Sequence, residues 1–377
     1  MNGVNAYKDG VISKLHKGLQ GLVKSRGITY VEGKGRLINK NTVEVNGQQY
    51  TGKNVVLATG SYAKTLPGLE IDGSKVMTSD QALHLNYVPK SVIVLGGGVI
   101  GCEFASVWKS FGAEVTIIEG LPRLIALEDE SSSKQIERAF RKRGINFEVG
   151  TKFQSHKVDS NGVTVTLENG KSFTADILLV AVGRGPVSQG LGYEEAGIKM
   201  DRGHILVDNK CRTSVPGIWA VGDLIPTLQL AHVGFQEGIL VAEEIAGLNP
   251  RPINYDGVPR VTYSEPEVAS VGLSTATAKE RGFDVVELTY DLAGNGKSNI
   301  LKTAGSIKLV AAKNGPVLGI HMVGARVGEL LAEAQLIFNW EASADDVAPL
   351  IHAHPTMSEA LGEAHLALAG KPLHAHG

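Results

Sequence analysis

Apolar residues along the chain follow two spacings. Over residues 6–26 the positions Val11, Ile12, Leu15, Leu19, Leu22 and Val23 recur every three to four residues and stop at Gly27, which predicts an amphipathic helix. No strand precedes it. Short alternating stretches follow at Ile28 to Val31, Arg36 to Ile38 and Thr42 to Val45, and Asn46-Gly47 has the composition of a tight hairpin turn. Asn54 to Ala58 is a continuous apolar run leading into Thr59-Gly60-Ser61. Such a run suits a strand inside a larger sheet, yet residues 1–54 offer few strands to flank it.

Residues 67–89 read as a polar, glycine-bearing connection. The most informative stretch comes next. Val92 to Leu95 is wholly apolar and β-branched in all but Leu95, as suits a parallel strand buried on both faces. Gly96, Gly98 and Gly101 then place a glycine at each position of G-x-G-x-x-G: one for the tight turn, one for backbone approach to a pyrophosphate, one for helix–strand packing. A helix from Val99 to roughly Phe111 would aim its free N–H groups and positive dipole end at phosphates. A second strand, Val115 to Ile118, ends in Glu119, whose carboxylate can accept from a ribose diol and repel a 2′-phosphate. This favours NAD over NADP. The same pattern could merely pack a βαβ unit, with Glu119 a solvated strand-end acid.

Downstream, Ser131 to Arg143 predicts a helix. Phe147 to Thr151, Gly162 to Leu167 and Asp176 to Val182 predict strands, the last closed by Gly183-Arg184 near the ligand crevice. A third signal lies at Gly217-Ile-Trp-Ala-Val-Gly-Asp223, where an apolar strand ends in an aspartate and Leu230-Ala-His232 opens a helix to Ala246. An Asp at the exit of a buried strand is costly unless a polar group uses it, although a turn or helix cap also would. From Pro259 the style changes to alternating strands at Val285 to Leu288, Gly305 to Ala311 and Val317 to Val323, then helices at about Gly328 to Phe338 and Met357 to Ala369. That order indicates an α+β domain.

Composition narrows the class. The 377 residues carry a formal net charge of −2 and 20% charged residues, so nothing marks a nucleic-acid surface. No apolar run approaches the ~18 residues of a membrane span, and the N-terminus lacks a signal-peptide core, which together lead us to expect a cytoplasmic protein. Cys102 and Cys211 are too few for a disulfide framework. Cys102 falls in the first turn of the helix after the glycines, where a dipole could activate it, but a small packing residue is the commoner role.

Several motifs together carry a resemblance over essentially the whole chain. They are Ala58-Thr-Gly-Ser61, Gly96 to Glu103 with Glu119, Ala181-Val-Gly-Arg184, Gly217 to Asp223, Tyr263-Ser-Glu-Pro-Glu-Val-Ala-Ser-Val-Gly272 and His352-Ala-His-Pro-Thr-Met-Ser-Glu359. In this order the chain resembles the dihydrolipoamide dehydrogenases, flavin-dependent members of the pyridine nucleotide-disulfide oxidoreductase family. The resemblance implies an α/β fold: a Rossmann-like NAD-binding domain (88–190), a partial FAD-binding domain (1–87, returning at 191–256) and a C-terminal α+β dimerisation domain (257–377). It implies NAD contacts from Gly96, Gly97, Gly98, Val99, Ile100, Gly101, Glu103, Glu119 and Gly183. Likewise it implies FAD contacts from Gly35, Thr59, Gly60, Ser61, Asp223, Gln229, Leu230, Ala231 and His232.

The departure from the family is equally specific. Members begin with their own strand–G-x-G-x-x-G–helix for the ADP half of FAD and then carry a C-x-x-x-x-C redox pair; neither occurs here. The chain therefore resembles a member lacking its first ninety or so residues, about one βαβ unit plus the disulfide helix. Weak or absent FAD binding and no dithiol–disulfide exchange are expected of it.

In the reaction that the resemblance implies, a thiol of dihydrolipoamide loses a proton before attacking a disulfide, because the thiolate is the nucleophile. A histidine is the residue type suited to be that base, which the resemblance implies for His354, and Glu359 would fix its tautomer. Thr356 and Glu359 also have capping-box spacing, so Glu359 equally fits a helix cap. His352 fits a hydrogen-bonded neighbour better than a second base. Neither His352 with His354 nor the tail pair His374 and His376 has a third ligand at suitable spacing, and no metal is expected.

The resemblance further implies a homodimer. A physical reason to expect self-contact is the apolar helix Leu330 to Phe338 with Trp340 beside it, unless that stripe packs only on its own sheet. The implied partner is a lipoyl-bearing acyltransferase or lipoyl carrier protein of a 2-oxo acid dehydrogenase or glycine cleavage complex, with no nucleic acid and no membrane. Two alternatives stay open: a related flavoprotein quinone or disulfide reductase, and a non-catalytic NAD-binding and dimerising module. Glu119 argues against NADPH-dependent members, and the tail Leu373 to Gly377 lacks the paired cysteines of a mercuric reductase.

Overall fold

The apolar run Ser91–Leu95 is the middle strand of a parallel sheet, and its residues Ile93 and Val94 have no solvent exposure at all. A computed structural model describes residues 1–374, in two units. One comprises Met1–Lys64, His84–Tyr87 and Gly183–Tyr255; the other comprises Thr65–Leu83, Val88–Val182 and Asp256 onward. Among the described residues no helix is long and apolar enough to cross a membrane.

In the second unit the sheet order is Val76–Met77, Ile177–Val180, Ser91–Leu95, Glu114–Glu119, Ile145–Val149, every pair parallel. Strands buried on both faces must be apolar throughout, and these centres are. Residues 67–89, expected as a bare connection, supply the edge strand Val76–Met77 and the one-turn helix Ser79–Ala82, capped by Thr78 and Gln81. A two-residue strand is too short to show a period, which is why the pattern missed it. The polar strand Phe153–Asp159 was likewise invisible. It joins Gly162–Leu167 and Ser172–Ala175 in an antiparallel sheet, whose Val163, Val165 and Leu167 alternate inward and pack with Ile93 and Leu178. The helix Glu130–Lys142 begins at the Asp129 cap and buries Ile136 and Phe140.

Beyond Asp256 the same unit forms an antiparallel sheet in the order Arg260–Thr262, Glu267–Gly272, Val317–Gly324, Ser306–Ala312, Val285–Asp291. Helices Leu331–Asn339 and Glu359–Leu368 close its core through Ala334, Ile337, Ala360, Leu361 and Ala364.

In the first unit Asn46 and Gly47 make the expected hairpin with positive φ at both residues (53° and 77°), joining Thr42–Val45 to Gln48–Thr51. Gly35–Asn39 pairs on the other side of Thr42–Val45. The strand expected at Ile28 to Val31 does not form. Ile28 and Tyr30 are exposed, so their alternation has neither a partner strand nor a core to bury against. Val55–Leu57 pairs in parallel with Ile218–Ala220 in a two-stranded sheet, not the larger sheet its apolar composition suggested. The helix Asn2–Ser25 buries none of its residues; Asn5 anchors it by donating to Leu85 O at 2.9 Å.

Phe140, on the Glu130–Lys142 helix, has zero exposure. Phe140→Ala is expected to cost about 3–5 kcal/mol, read as a lower midpoint with unchanged slope in urea melts followed by circular dichroism.

Candidate functional site

Of the three glycines after Leu95, two are demanded by the protein itself. Gly96 has φ 111°, and a Cβ there would stand 2.3 Å from Ala181 O. A Cβ on Gly101 would stand 1.8 Å from Gly96 O, so the helix Val99–Ser110 can approach the strand only through a bare Cα. Gly98 is different: its φ is an ordinary −74° and a Cβ would meet nothing within 4 Å. It caps the helix without any side-chain bond, which leaves the first-turn N–H groups around Val99 and Ile100 free beside open space. That cradle fits a diphosphate by shape and by dipole.

Glu119 sits at the end of the neighbouring strand and accepts from Gly97 N at 2.5 Å and Leu121 N at 2.7 Å. It thereby ties the two strand ends together, while each carboxylate oxygen keeps a lone pair for a further donor. Glu103, on the second turn of the helix, accepts from Tyr263 N at 2.8 Å. Burial raises its carboxyl above the usual range, partly offset by that N–H.

A second cluster lies in the other unit. Ser61 donates to Asp223 Oδ2 at 2.5 Å, and Arg184 Nε donates to Ser61 Oγ at 2.7 Å while its Nη2 donates to Ser61 O at 2.9 Å. Thr59 donates to Val187 O at 2.5 Å, and Val187 N donates to Gly60 O at 2.9 Å. Gly183, next to Arg184 in sequence, accepts from Lys64 N at 2.9 Å. Asp223 thus answers the cost of its strand-end position through Ser61 and Arg184. Gly60 and Gly222 both have φ 71° with open space where a Cβ would be, and the helix Ala231–Ile245 starts after Leu230 without a side-chain cap. Gln229 and His232 flank that helix start, whereas Gly35 lies in a separate sheet opposite Val45. Open glycines and an uncapped helix fit part of a dinucleotide.

Sequence reasoning missed Glu237, which has no exposure and accepts from Gly222 N at 2.6 Å, Thr227 at 2.8 Å and Tyr255 at 2.9 Å. A signal existed: Glu237 occupies the buried stripe with Val233, Leu240 and Val241. Burial and then the Glu237 charge push the Tyr255 phenol up.

At the C-terminal end, His354 Nδ1 lies 2.9 Å from Glu359 Oε1, with the imidazole largely exposed. The other oxygen, Oε2, accepts from Thr356 N at 2.7 Å, and Glu359 N donates to Thr356 Oγ1 at 3.4 Å. Glu359 is therefore cap and histidine partner at once, one oxygen for each. Burial alone would raise its carboxyl, but the Thr356 N–H and His354 outweigh it and hold the group below the usual range. His352 has its own acid, Glu333 Oε1 at 2.8 Å, and its ring rests on Gly362, where a Cβ would stand 2.5 Å from Nδ1. Each histidine thus has a separate glutamate. Among the described residues no group of three or more His, Cys, Asp or Glu is arranged to hold a metal; His376 lies outside them.

Both thiols are buried. Burial, followed by the charges of nearby acids, pushes Cys102 far up and Cys211 up to about 12, so neither is a thiolate near neutral pH. Cys102 donates to Gly97 O at 3.4 Å and acts as packing.

Residues 2–238 match the family described as pyridine nucleotide-disulphide oxidoreductase, and residues 258–365 match its dimerisation domain. The chain belongs to that family. It is similar to dihydrolipoyl dehydrogenase 1, mitochondrial, of Arabidopsis thaliana, at 39% identity over 98% of this chain and 75% of that protein. Dihydrolipoyl dehydrogenase of Bacillus subtilis is 38% identical over 98% of this chain and 82% of its own length. Among solved structures, the HOCl-induced flavoprotein disulfide reductase RclA from Escherichia coli superposes with a TM-score of 0.88 at 27% identity, covering 96% of this chain and 84% of that one. The family match accords with the mixed α/β fold and with oxidoreductase chemistry built on FAD and NAD. Within the dimerisation domain, Leu331, Ala334 and Ile337 pack on their own sheet as one alternative held, while Leu336 and Trp340 stay exposed on the same helix end.

Gly98→Ala is expected to leave stability within about 1 kcal/mol, because the new methyl enters open space at a permitted φ. Gly101→Ala, forced onto a carbonyl, is expected to cost more than about 2 kcal/mol; thermal melts of the two variants make the comparison. At Glu359 a depressed carboxyl contributes stability above its ordinary range that is lost as pH falls through the folded value. Glu359→Ala should therefore lose about 1 kcal/mol at neutral pH and nothing in acid, whereas His354→Ala should be neutral, both by urea titration at two pH values.

Proposed function

We propose that this chain is the coenzyme-binding and proton-transfer part of a dihydrolipoyl dehydrogenase, an enzyme that oxidises protein-bound dihydrolipoamide and passes the electrons through a disulfide and FAD to NAD+. The observation that carries this reading is the open space over Gly98, bounded by free helix N–H groups and by Glu119. NAD would lay its diphosphate over residues 96–101, with Val99 and Ile100 supplying amides. The adenosine ribose would meet Glu119, whose negative charge disfavours a 2′-phosphate. Glu103 would act through the backbone at Tyr263.

His354 would accept the thiol proton at Nε2 while Glu359 holds Nδ1–H and stabilises the imidazolium. The substrate thiol would then be the nucleophile that opens the disulfide. FAD, when bound, supplies the two-electron relay between disulfide and nicotinamide. Gly35, Thr59, Gly60, Ser61, Asp223, Gln229, Leu230, Ala231 and His232 would hold part of it. The dithiol partner would be a lipoyl group on an acyltransferase or carrier protein. A two-fold pairing would cover the exposed Leu336, Trp340 and Ile351 of the dimerisation domain.

One observation favours a second reading. Cys102 and Cys211 are both free and buried with raised thiols, and neither belongs to a C-x-x-x-x-C pair that could form the disulfide a substrate thiol would open. By itself, then, the chain would work as an NAD-binding, dimerising module, with lipoamide turnover depending on a C-x-x-x-x-C segment supplied by other residues.

Calorimetry tests the carrying claim: NADH should bind at least about tenfold more tightly than NADPH, and Glu119→Gly should narrow that gap. Equal affinity for the two coenzymes, or no heat at millimolar NADH, rejects the reading. Lipoamide-dependent NADH formation should be absent with this chain and appear when a flavin and disulfide segment is joined to it. In that joined protein His354→Gln should lower kcat/KM about 100-fold or more.

A further inference from the structure

Ile125 has φ 43°, a left-handed conformation that a β-branched residue avoids at a cost, so its surroundings must impose it. It lies in the loop between Glu119 and Asp129, directly against the coenzyme turn. Ile125 N donates to Gly97 O at 2.8 Å, and the Leu124 side chain fills the space where a Cβ on Gly97 would go. Arg123 stitches the loop from inside, donating to Ala126 O at 2.7 Å and Glu128 O at 3.0 Å.

What pins the far end comes from the dimerisation domain. Lys308, 8% exposed on the Ser306–Ala312 strand, places its ammonium 3.0 Å from Asp129 Oδ1 and 2.8 Å from Glu287 Oε2. Thr275 N donates to Asp129 Oδ2 at 3.1 Å. Beside it Ser270 donates to Glu128 Oε2 at 2.6 Å, and Arg260 Nε is 3.4 Å from Glu128 Oε1. A buried acidic pair at the end of a strained loop is thus answered by Lys308, Arg260 and Ser270 from one sheet and by Thr275 at the start of the helix Thr275–Glu280.

We propose that Lys308 is a positioning residue for the coenzyme site: through Asp129 it holds the 120–129 loop, strained at Ile125, against Gly97, so that the dimerisation domain sets the affinity for NAD. The inference rests on the coenzyme reading above. Releasing the ammonium leaves Asp129 buried without its cation, and the loop can then relax Ile125 only by leaving Gly97, which misplaces both Gly97 and the Glu119 carboxylate bonded to it.

The experiment is NADH binding by calorimetry on the full chain, with hydrogen exchange of the 121–129 amides as a coenzyme-free readout. Lys308→Met should bind NADH about tenfold more weakly, with faster exchange confined to that loop, and Lys308→Arg should restore affinity to within about threefold. Ile320→Ala, a destabilising change in the same sheet's core, should bind NADH like the unaltered chain, which separates positioning from loss of stability. Should Lys308→Met fail to fold, Ser270→Ala takes its place, with an expected severalfold loss of affinity. Unchanged affinity in the Lys308→Met or Ser270→Ala variant, or an equal loss in Ile320→Ala, overturns the clamp alone. An unaltered chain that ignores NADH overturns the coenzyme reading and the clamp with it.

Discussion

The Val99–Ser110 helix lies so close to its preceding strand that Gly101 meets the carbonyl of Gly96 with no room for a methyl group. That contact sets the height of the helix N-terminus above the sheet, and hence where its free amides point. Gly96, pressed in turn against Ala181 O, transmits the constraint to the strand Ile177–Val180. Only Gly98 escapes it. The three glycines of one motif thus divide into two that the fold requires and one whose bareness serves nothing inside the protein.

The same economy appears at Glu359. A carboxylate has enough lone pairs to close a helix and orient an imidazole together, and here each oxygen has one task. Because the backbone N–H of Thr356 fixes the carboxylate plane, the position of His354 inherits the rigidity of a helix terminus. His352, two residues earlier, is held differently: mostly buried, paired with Glu333 and seated on a glycine. Two histidines in one short motif are distinguished by exposure more than by partner type.

Much of this was legible because local rules agreed with the fold. The turn at Asn46-Gly47, the apolar strands from Ser91 to Glu119 and from Ile177 to Val180, and the helix after Gly98 each rest on residues near in sequence. The failures also have physical causes. Ile28 to Val31 alternates correctly but has no neighbour to pair with, and Val76–Met77 is a strand only because Ile177–Val180 lies beside it. Side-chain partners were the least readable. Glu333 for His352, Tyr255 for Glu237 and Lys308 for Asp129 come from 18 to 179 positions away, and no periodicity encodes such meetings. Glu237 could have been suspected, since a charge on a buried stripe must be answered somewhere.

The Lys308 pair with Asp129 also has a thermodynamic corollary. Coupling between two regions is symmetric in free energy: whatever a docked loop contributes to ligand affinity, the ligand returns as resistance of that loop's far anchor to opening. A dimerisation domain of this design would thus be firmer when its neighbour is loaded and looser when it is empty.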